Sequence, residues 1–359
     1  MARFHNLKIS DIRRETADCV SVAFEIPAHI AADFQYIQGQ YVTLKLRVNG
    51  EELRRSYSIC SSPVADNELR IAAKKVKDGR GSGFINDLMK VGDMVEVMTP
   101  MGNFHTTLSA GNKKNYVLFA GGSGITPMLS ILKSVLKTEP QSSVTLFYGN
   151  LDESATIFKN DIDRLAQAES SRLSVYYIFD QPQNPLDALY TGIMTGDKVK
   201  ALVEKHVDPK ADNEFFICGP TPMMKNTEET LAGMNIPKQK VHLEYFTASL
   251  EAAKAEDAVT VAAGGKIVSQ VTIIMDGEET TVELASDGKS VLDAAIEADL
   301  DAPFSCKGAV CCTCRAKVLE GAVRMKANFA LTEEEVAEGF ILTCQSHPTT
   351  PTLIVDYDV

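Results

Sequence analysis

The chain has 359 residues, room for two or three domains of roughly 100–200 residues each. Its 45% apolar and 23% charged residues are those of an ordinary globular protein, which excludes a disordered, collagenous or coiled-coil chain. A formal net charge of −12 argues against nucleic acid or anionic membrane as a direct partner, and no apolar run approaches the roughly 18 residues of a membrane span.

From the first residue to about 110 the pattern is short and antiparallel. The opening residues, Met1 to Lys8, hold no apolar stretch of the kind a secretory leader needs, so a cytoplasmic location is expected. Alternation at Val42, Leu44, Leu46 and Val48, and again over Met94–Met98, predicts strands, with turns at Asn49-Gly50 and Val91-Gly92-Asp93. Residues 1–110 therefore read as an antiparallel β-barrel. One predicted strand carries Arg54-Arg55-Ser56-Tyr57-Ser58-Ile59, in which Arg55, Tyr57 and Ser58 form R-x-Y-S. A flavin needs a cation for its pyrophosphate, a flat aromatic against its ring and a hydrogen-bonding group near N5, and this tetrapeptide supplies all three. An isolated R-x-Y-S is more commonly an exposed basic strand. Here it is followed by Asp78-Gly79-Arg80-Gly81-Ser82-Gly83 just before a predicted helix, Phe84–Met89, and such a start presents free N–H groups to a phosphate. A plain loop with an N-cap serine is the alternative for that segment.

Strands then alternate with helices over 111–246. Tyr116–Phe119 precedes a helix opened by Pro127, and Val144–Phe147 precedes one around Ile157–Leu165. Leu173–Phe179, Glu214–Cys218 and Val241–Phe246 supply further strands. This order predicts a doubly wound α/β domain with a parallel sheet covered on both faces. Gly121-Gly122-Ser123-Gly124-Ile125-Thr126-Pro127 joins a strand to a helix, where a nucleotide phosphate would sit; Pro127 stands where the G-x-G-x-x-G fingerprint has its third glycine. Cys218-Gly219-Pro220 makes a second such turn, and together the two define one crevice. Cys218 taken alone reads as a small core residue. No nucleophile elbow or paired-carboxylate motif supports hydrolysis.

Residues 247–270, rich in Ala, Glu, Lys and Gly, read as an interdomain linker. Within 271–359, Val271–Met275 and Thr280–Leu284 around Asp276-Gly277 predict a hairpin. Ser290 caps one helix and Thr332, followed by three glutamates, opens another with a capping box. Strands at Ala316–Leu319 and Leu353–Val355 complete a compact α+β module. It is the acidic part of the chain, with 16 acidic against 6 basic residues.

That module also holds Cys306-x4-Cys311-x2-Cys314 and then Cys344, the plant-type [2Fe–2S] spacing. Gly308, Ala309 and Thr313 are small residues where backbone amides can bend toward the sulfurs. Structural zinc and buried free thiols are the alternatives, but zinc usually pairs two close CxxC units and only one is present. Cys312 lies between two of the expected ligands and could replace Cys311 in a shifted register; otherwise it is a spare thiol open to oxidation.

The succession of R-x-Y-S, the glycine–serine turn, GGSGITP, CGP-x-x-M, His242-Leu243-Glu244-Tyr245-Phe246 and the four cysteines resembles the ferredoxin–NAD(P)H reductase family fused to a C-terminal ferredoxin. Within it the chain is most similar to the reductase components of phenylacetyl-CoA epoxidases, with ketosteroid hydroxylase reductases close behind. The resemblance implies a barrel holding FAD, an NAD(P)-binding α/β domain and a β-grasp ferredoxin domain. Arg55, Tyr57 and Ser58 would hold FAD, with Lys74, Gly81 and Ser82 along its ribityl-pyrophosphate path. Gly122, Gly124, Thr126, Pro127, Cys218, Gly219 and Pro220 would line the dinucleotide crevice, and Ser58 and Cys218 would stand at the reacting centre. Glu244 and Phe246 match the segment that covers the flavin, and Cys306, Cys311, Cys314 and Cys344 would bind the cluster.

The implied activity is electron transfer from NAD(P)H through FAD and the cluster to an oxygenase of the phenylacetate pathway. The 16 acidic against 6 basic residues of the last module lead us to expect that it docks on a basic patch of that oxygenase. A reductase for a ketosteroid hydroxylase or a desaturase is the alternative, and a zinc-bearing interaction protein the remote one. After Tyr148-Gly149-Asn150 the chain has Leu151-Asp152-Glu153, and Ile178-Phe179-Asp180-Gln181 is likewise without a base. Acidic groups there would repel a 2′-phosphate, which points to NADH rather than NADPH.

Overall fold

The computed structural model describes residues 3–246 and 267–359. The first sheet contains β1 (Phe4–Thr16), β2 (Cys19–Glu25), β3 (Tyr41–Val48), β4 (Glu51–Ser58), β5 (Leu69–Lys74) and β6 (Met94–Met98) in the order β4-β3-β6-β1-β2-β5. All its pairs are antiparallel, and a bridge between Ile59 and Ile71 brings the end of β4 back to β5, so the sheet curls into a barrel. The predicted alternation holds in β3: Val42, Leu44, Leu46 and Val48 are buried with Leu7, Ile9, Val22 and Val97 in the barrel core. Asn49 and Gly50, both at positive φ, make the two-residue turn between β3 and β4.

The helix α1 starts earlier than expected, spanning Arg80–Asp87 with Gly79 at its N-cap. Two glycines in the first turn weaken the local signal, but Gly81 is buried against Arg55 and Leu46, and tertiary packing extends the helix through them.

The second sheet is wholly parallel: β7 (Asn115–Gly121), β8 (Ser143–Asn150), β9 (Leu173–Phe179), β10 (Asn213–Cys218) and β11 (Val241–Glu244), ordered β11-β10-β7-β8-β9. Helices α2 (Ile125–Thr138) and α3 (Lys159–Ala168) pack on one face, α4 (Gly196–His206) and α5 (Thr221–Gly233) on the other. The expected strand Val241–Phe246 stops at Glu244, leaving Tyr245 and Phe246 beyond the sheet. The barrel is fastened to α2 by Ser62 Oγ to Ser134 Oγ at 2.7 Å, Ser130 Oγ donating to Ser61 O at 2.6 Å, and a Lys133–Asp66 pair at 3.0 Å.

The third sheet comprises β12 (Val268–Met275), β13 (Glu278–Ala285), β14 (Arg315–Glu320), β16 (Phe340–Leu342) and β18 (Thr352–Asp356) in the order β13-β12-β18-β14-β16. A small ladder joins β15 (Val323–Met325) to β17 (Ser346–Pro348). Helix α6 (Val291–Glu297) is capped by Ser290, and α7 (Glu333–Ala337) by the Thr332–Glu335 capping box, as their sequences predict. Of the segment expected to be a linker, 247–266 lies outside the described residues, while its last residues are strand because β12 begins at Val268, pairing with Ala285. Among the described residues no helix is long and apolar enough to cross a membrane.

Candidate functional site

The parallel sheet switches direction at β7, which has β8 on one side and β10 on the other, and the loops leaving β7 and β10 meet above that point. They are pressed backbone to backbone. A Cβ on Gly124 would lie 2.1 Å from the Cys218 carbonyl oxygen and 2.8 Å from Gly219 N, and one on Gly219 would lie 2.9 Å from Gly121 N. Only glycine permits this approach. Thr126 is buried at the start of α2, its Oγ1 donating to Ser123 O at 3.0 Å, and Pro127 is buried beside it.

Three of the predicted residues come together from two domains. In the β10–β11 ladder Cys218 lies opposite Glu244, and Ser58 at the end of β4 donates its Oγ to Glu244 Oε2 at 3.0 Å. Burial raises the Glu244 carboxyl to about 8 against the opposing Ser58 hydrogen bond, so it is largely protonated at neutral pH. Burial and the neighbouring Glu244 also hold the Cys218 thiol well above its ordinary range, so it stays neutral. Phe246, by contrast, is 40% exposed beyond the strand end.

The R-x-Y-S segment is divided by strand alternation. Arg55 and Tyr57 lie opposite Leu44 and Val42, on the α1 side, and the Arg55 Cγ is 3.3 Å from where a Cβ on Gly81 would be. This places the arginine against the N-terminal turn of α1, a cation beside free amides and so a place for a phosphate. Ser82 ties the loop before that turn, its Oγ accepting from Val76 N at 3.0 Å. Lys74, at the end of β5, carries its Nζ within 4.0 Å of the position a Cβ on Gly122 would take, so it spans from the barrel to the β7 turn.

In the third domain the thiols converge as two pairs. Cys306 and Cys311 Sγ are 3.1 Å apart, and Cys314 hydrogen-bonds Cys344. Each pair holds one thiol toward the thiolate: Cys311 is lowered by the Cys306 hydrogen bond and Cys344 by that of Cys314. The Gly308 amide donates to Cys306 Sγ at 3.2 Å, and backbone bonds reach Cys344 from Ala309 and Cys311 from Thr313, so all three small residues aim amides at sulfur. Among the described residues no three Asp, Glu, His or Cys side chains surround one ion. Two pairs suit a centre of two irons, one pair to each, better than a single tetrahedral zinc. Cys312 is turned the other way: its Sγ is 3.4 Å from Tyr41 OH on the barrel, and burial pushes the thiol up to about 11.

Three family models cover the chain in the same order: the oxidoreductase FAD-binding domain at 6–106, the oxidoreductase NAD-binding domain at 118–229 and the 2Fe-2S iron-sulfur cluster binding domain at 273–349. The chain is 37% identical to a component of the 1,2-phenylacetyl-CoA epoxidase of Escherichia coli K12, over all of this chain and 99% of that one. It belongs to the ferredoxin reductase family of oxygenase components. The ferredoxin reductase component of the 3-ketosteroid-9-alpha-monooxygenase of Mycobacterium tuberculosis is 35% identical over 98% of this chain and 95% of its own. Phthalate dioxygenase reductase shares the fold across 98% of both chains, with a TM-score of 0.57 and 24% identity. The reductase thus has FAD-, NAD- and 2Fe-2S-binding domains, as its motifs imply.

Sequence reasoning passes over two residues of this reductase. Arg54 precedes the recognised Arg55, and its guanidinium reaches the third domain, 2.9 Å from Asp301. Tyr41 opens β3 and reaches the cysteine loop. Adjacent arginines on a strand must point to opposite faces, a signal for the first; the second carries none.

Proposed function

We propose that this reductase supplies electrons to a phenylacetyl-CoA epoxidase. The barrel would hold FAD and the four cysteines a [2Fe–2S] cluster, groups that would supply hydride acceptance from NAD(P)H and one-electron transfer toward the oxygenase. The specific oxygenase rests on the 37% full-length identity to the epoxidase component, against 35% for the ketosteroid reductase. The observation that carries the electron-transfer reading is the meeting of three domains at one strand: Ser58 bonds Glu244 of the parallel sheet at 3.0 Å and Ser56 bonds Ser305 of the cluster domain at 2.8 Å.

In this reading Arg55 and the α1 amides hold the flavin pyrophosphate, with Lys74, Gly81 and Ser82 alongside, and Tyr57 lies against the ring. Ser58 offers its hydroxyl where the flavin accepts hydride. Gly122, Gly124 and Gly219 let the dinucleotide approach the backbone, Thr126 and Pro127 shape the start of α2 beneath it, and Cys218 and Pro220 wall the nicotinamide. Glu244 stays protonated, so it adds no charge beside the hydride, and Phe246 shields the ring. Cys306, Cys311, Cys314 and Cys344 hold the cluster.

At the ends of β8 and β9 the adenosine end would meet carboxylates. Asp152 accepts from Ser154 Oγ at 2.7 Å and Ala155 N at 2.9 Å, bonds that lower its pKa, and Glu153 accepts from Gln183 N at 2.9 Å. Fixed anions accept ribose hydroxyls and oppose a 2′-phosphate, so NADH is the reductant of choice. An anaerobic absorbance titration with NADH and NADPH in parallel tests this. Both flavin and cluster bands should bleach, and with less NADH than NADPH. A stronger response to NADPH would refute the nucleotide assignment, and a protein colourless after flavin and iron–sulfur reconstitution would refute the function.

The cluster domain, with its 16 acidic and 6 basic residues, docks on a basic face of the oxygenase in the cytoplasm. Association with the epoxidase should therefore weaken severalfold between low and physiological salt, where the screening length falls from about 30 Å to about 8 Å. Salt-independent binding, measured by surface plasmon resonance, would overturn that mode of docking.

A further inference from the structure

The barrel face opposite Arg55 and Tyr57 carries the cluster domain. Arg54 is 7% exposed, paired with Asp301 at 2.9 Å and lying 4.3 Å over the Phe304 ring. Ser56 reaches Ser305, Asn103 donates to Glu335 Oε2 at 2.7 Å, and Lys238 pairs with Glu333 at 2.5 Å. Tyr41 goes deeper than any of these. Its ring belongs to the apolar core of the cluster domain, together with Val291, Ala309 and Leu342. Its hydroxyl accepts from the Cys312 amide at 3.1 Å and lies 3.2 Å from Thr313 Oγ1. The barrel makes room for it: a Cβ on Gly102, at φ +119°, would come within 3.0 Å of the Tyr41 ring.

Tyr41 has a neighbour of interest at each end. Cys312, from whose amide it accepts, directly follows the ligand Cys311, and Thr313 directly precedes the ligand Cys314. In the β3–β4 ladder Tyr41 stands directly opposite Ser58, whose hydroxyl reaches Glu244 in the crevice. One strand pair and one side chain therefore separate the crevice from a cluster ligand.

We propose that Tyr41 is a positioning residue for the internal electron step: seated in the cluster domain's core and bonded to the Cys312 amide, it holds the cysteine loop at a fixed separation from the flavin edge. The inference rests on the electron-transfer reading above. In each such step the reduced flavin is oxidised by one electron and one ferric iron of the cluster becomes ferrous. Transfer falls steeply with distance, so a loop that lifts from β3 slows this step and leaves hydride uptake alone. Arg54 latches the same interface from outside the cysteine loop.

The test is rapid anaerobic mixing of the full-length holoenzyme with NADH, comparing wild type, Tyr41→Phe and Arg54→Gln. Tyr41→Phe keeps the ring and removes the hydroxyl. The flavin band should bleach at the wild-type rate in both variants, while cluster bleaching slows about threefold to tenfold, the population shift that one or two hydrogen bonds supply. Ferricyanide reduction, drawn from the flavin, should hold while cytochrome c reduction, drawn from the cluster, falls. Hydrogen exchange at the Cys312 amide should quicken in Tyr41→Phe, a change independent of turnover. Cluster bleaching at the wild-type rate in both variants, with both groups bound, would overturn the proposal. Failure of the underlying reading would look different, as a wild-type cluster that NADH does not bleach.

Discussion

Cys311→Ser is expected to cost the reductase its cluster, while Cys312→Ser, one residue on, is expected to keep it. The first variant should still pass electrons from NADH to ferricyanide, but its reduction of cytochrome c should fall by more than about 100-fold, beyond what losing an outer-shell partner of a metal site costs. Two adjacent thiols with one spacing cannot both be ligands, and geometry separates them. Cys311 Sγ is 3.1 Å from Cys306 Sγ, turned toward the other expected ligands. Cys312 faces Tyr41 on the barrel, and burial keeps it protonated near pH 7, its pKa raised to about 11. Serine at 312 preserves the backbone amide that Tyr41 accepts from and a polar group beside the tyrosine hydroxyl. The visible and paramagnetic spectra of the two purified variants decide the matter. A cluster kept in Cys311→Ser and lost in Cys312→Ser would establish the shifted register instead.

That contrast shows where sequence reading reaches its limit. The cysteine spacing and the small residues around it are legible because ligand chemistry constrains them locally: Gly308, Ala309 and Thr313 each aim an amide at a sulfur. Helix starts at Ser290 and Thr332 are legible for the same reason, a side chain bonding a backbone group three residues on. Local propensity starts helix α1 at Phe84 rather than Arg80, because glycines at 81 and 83 lower it and only the packing of Gly81 on Arg55 restores the first turn. Strand alternation within the R-x-Y-S segment sends Arg55 and Tyr57 to one face and Ser56 and Ser58 to the other, and that Ser56 on this second face meets Ser305 of the cluster domain has no local signal. Least legible is the seam between the barrel and the cluster domain. Arg54 and Asp301 are 247 positions apart, Tyr41 and Cys312 271, and no local pattern links such pairs.

Gly124→Ala is expected to destabilise the reductase by about 3 kcal/mol or more, at the upper end of what overpacking costs, and to abolish dinucleotide binding. The added Cβ would lie 2.1 Å from the Cys218 carbonyl oxygen, 2.4 Å from its carbon and 2.8 Å from Gly219 N. All three are backbone atoms, so no side chain can turn aside, and relief requires the β7 and β10 loops to separate. Those loops form the crevice at the switch point of the sheet, and Cys218 is also the register partner of Glu244, so their separation disturbs the Ser58–Glu244 contact as well. Gly233→Ala supplies the control: it ends α5 with nothing within 4 Å of a new Cβ, so the gain in helix propensity, about 0.5–1 kcal/mol, should appear as a small stabilisation. Urea unfolding and NADH binding to the oxidised protein measure both effects. Wild-type stability and affinity in Gly124→Ala would mean that the two loops are not packed together, and the crevice would have to be rebuilt from other residues.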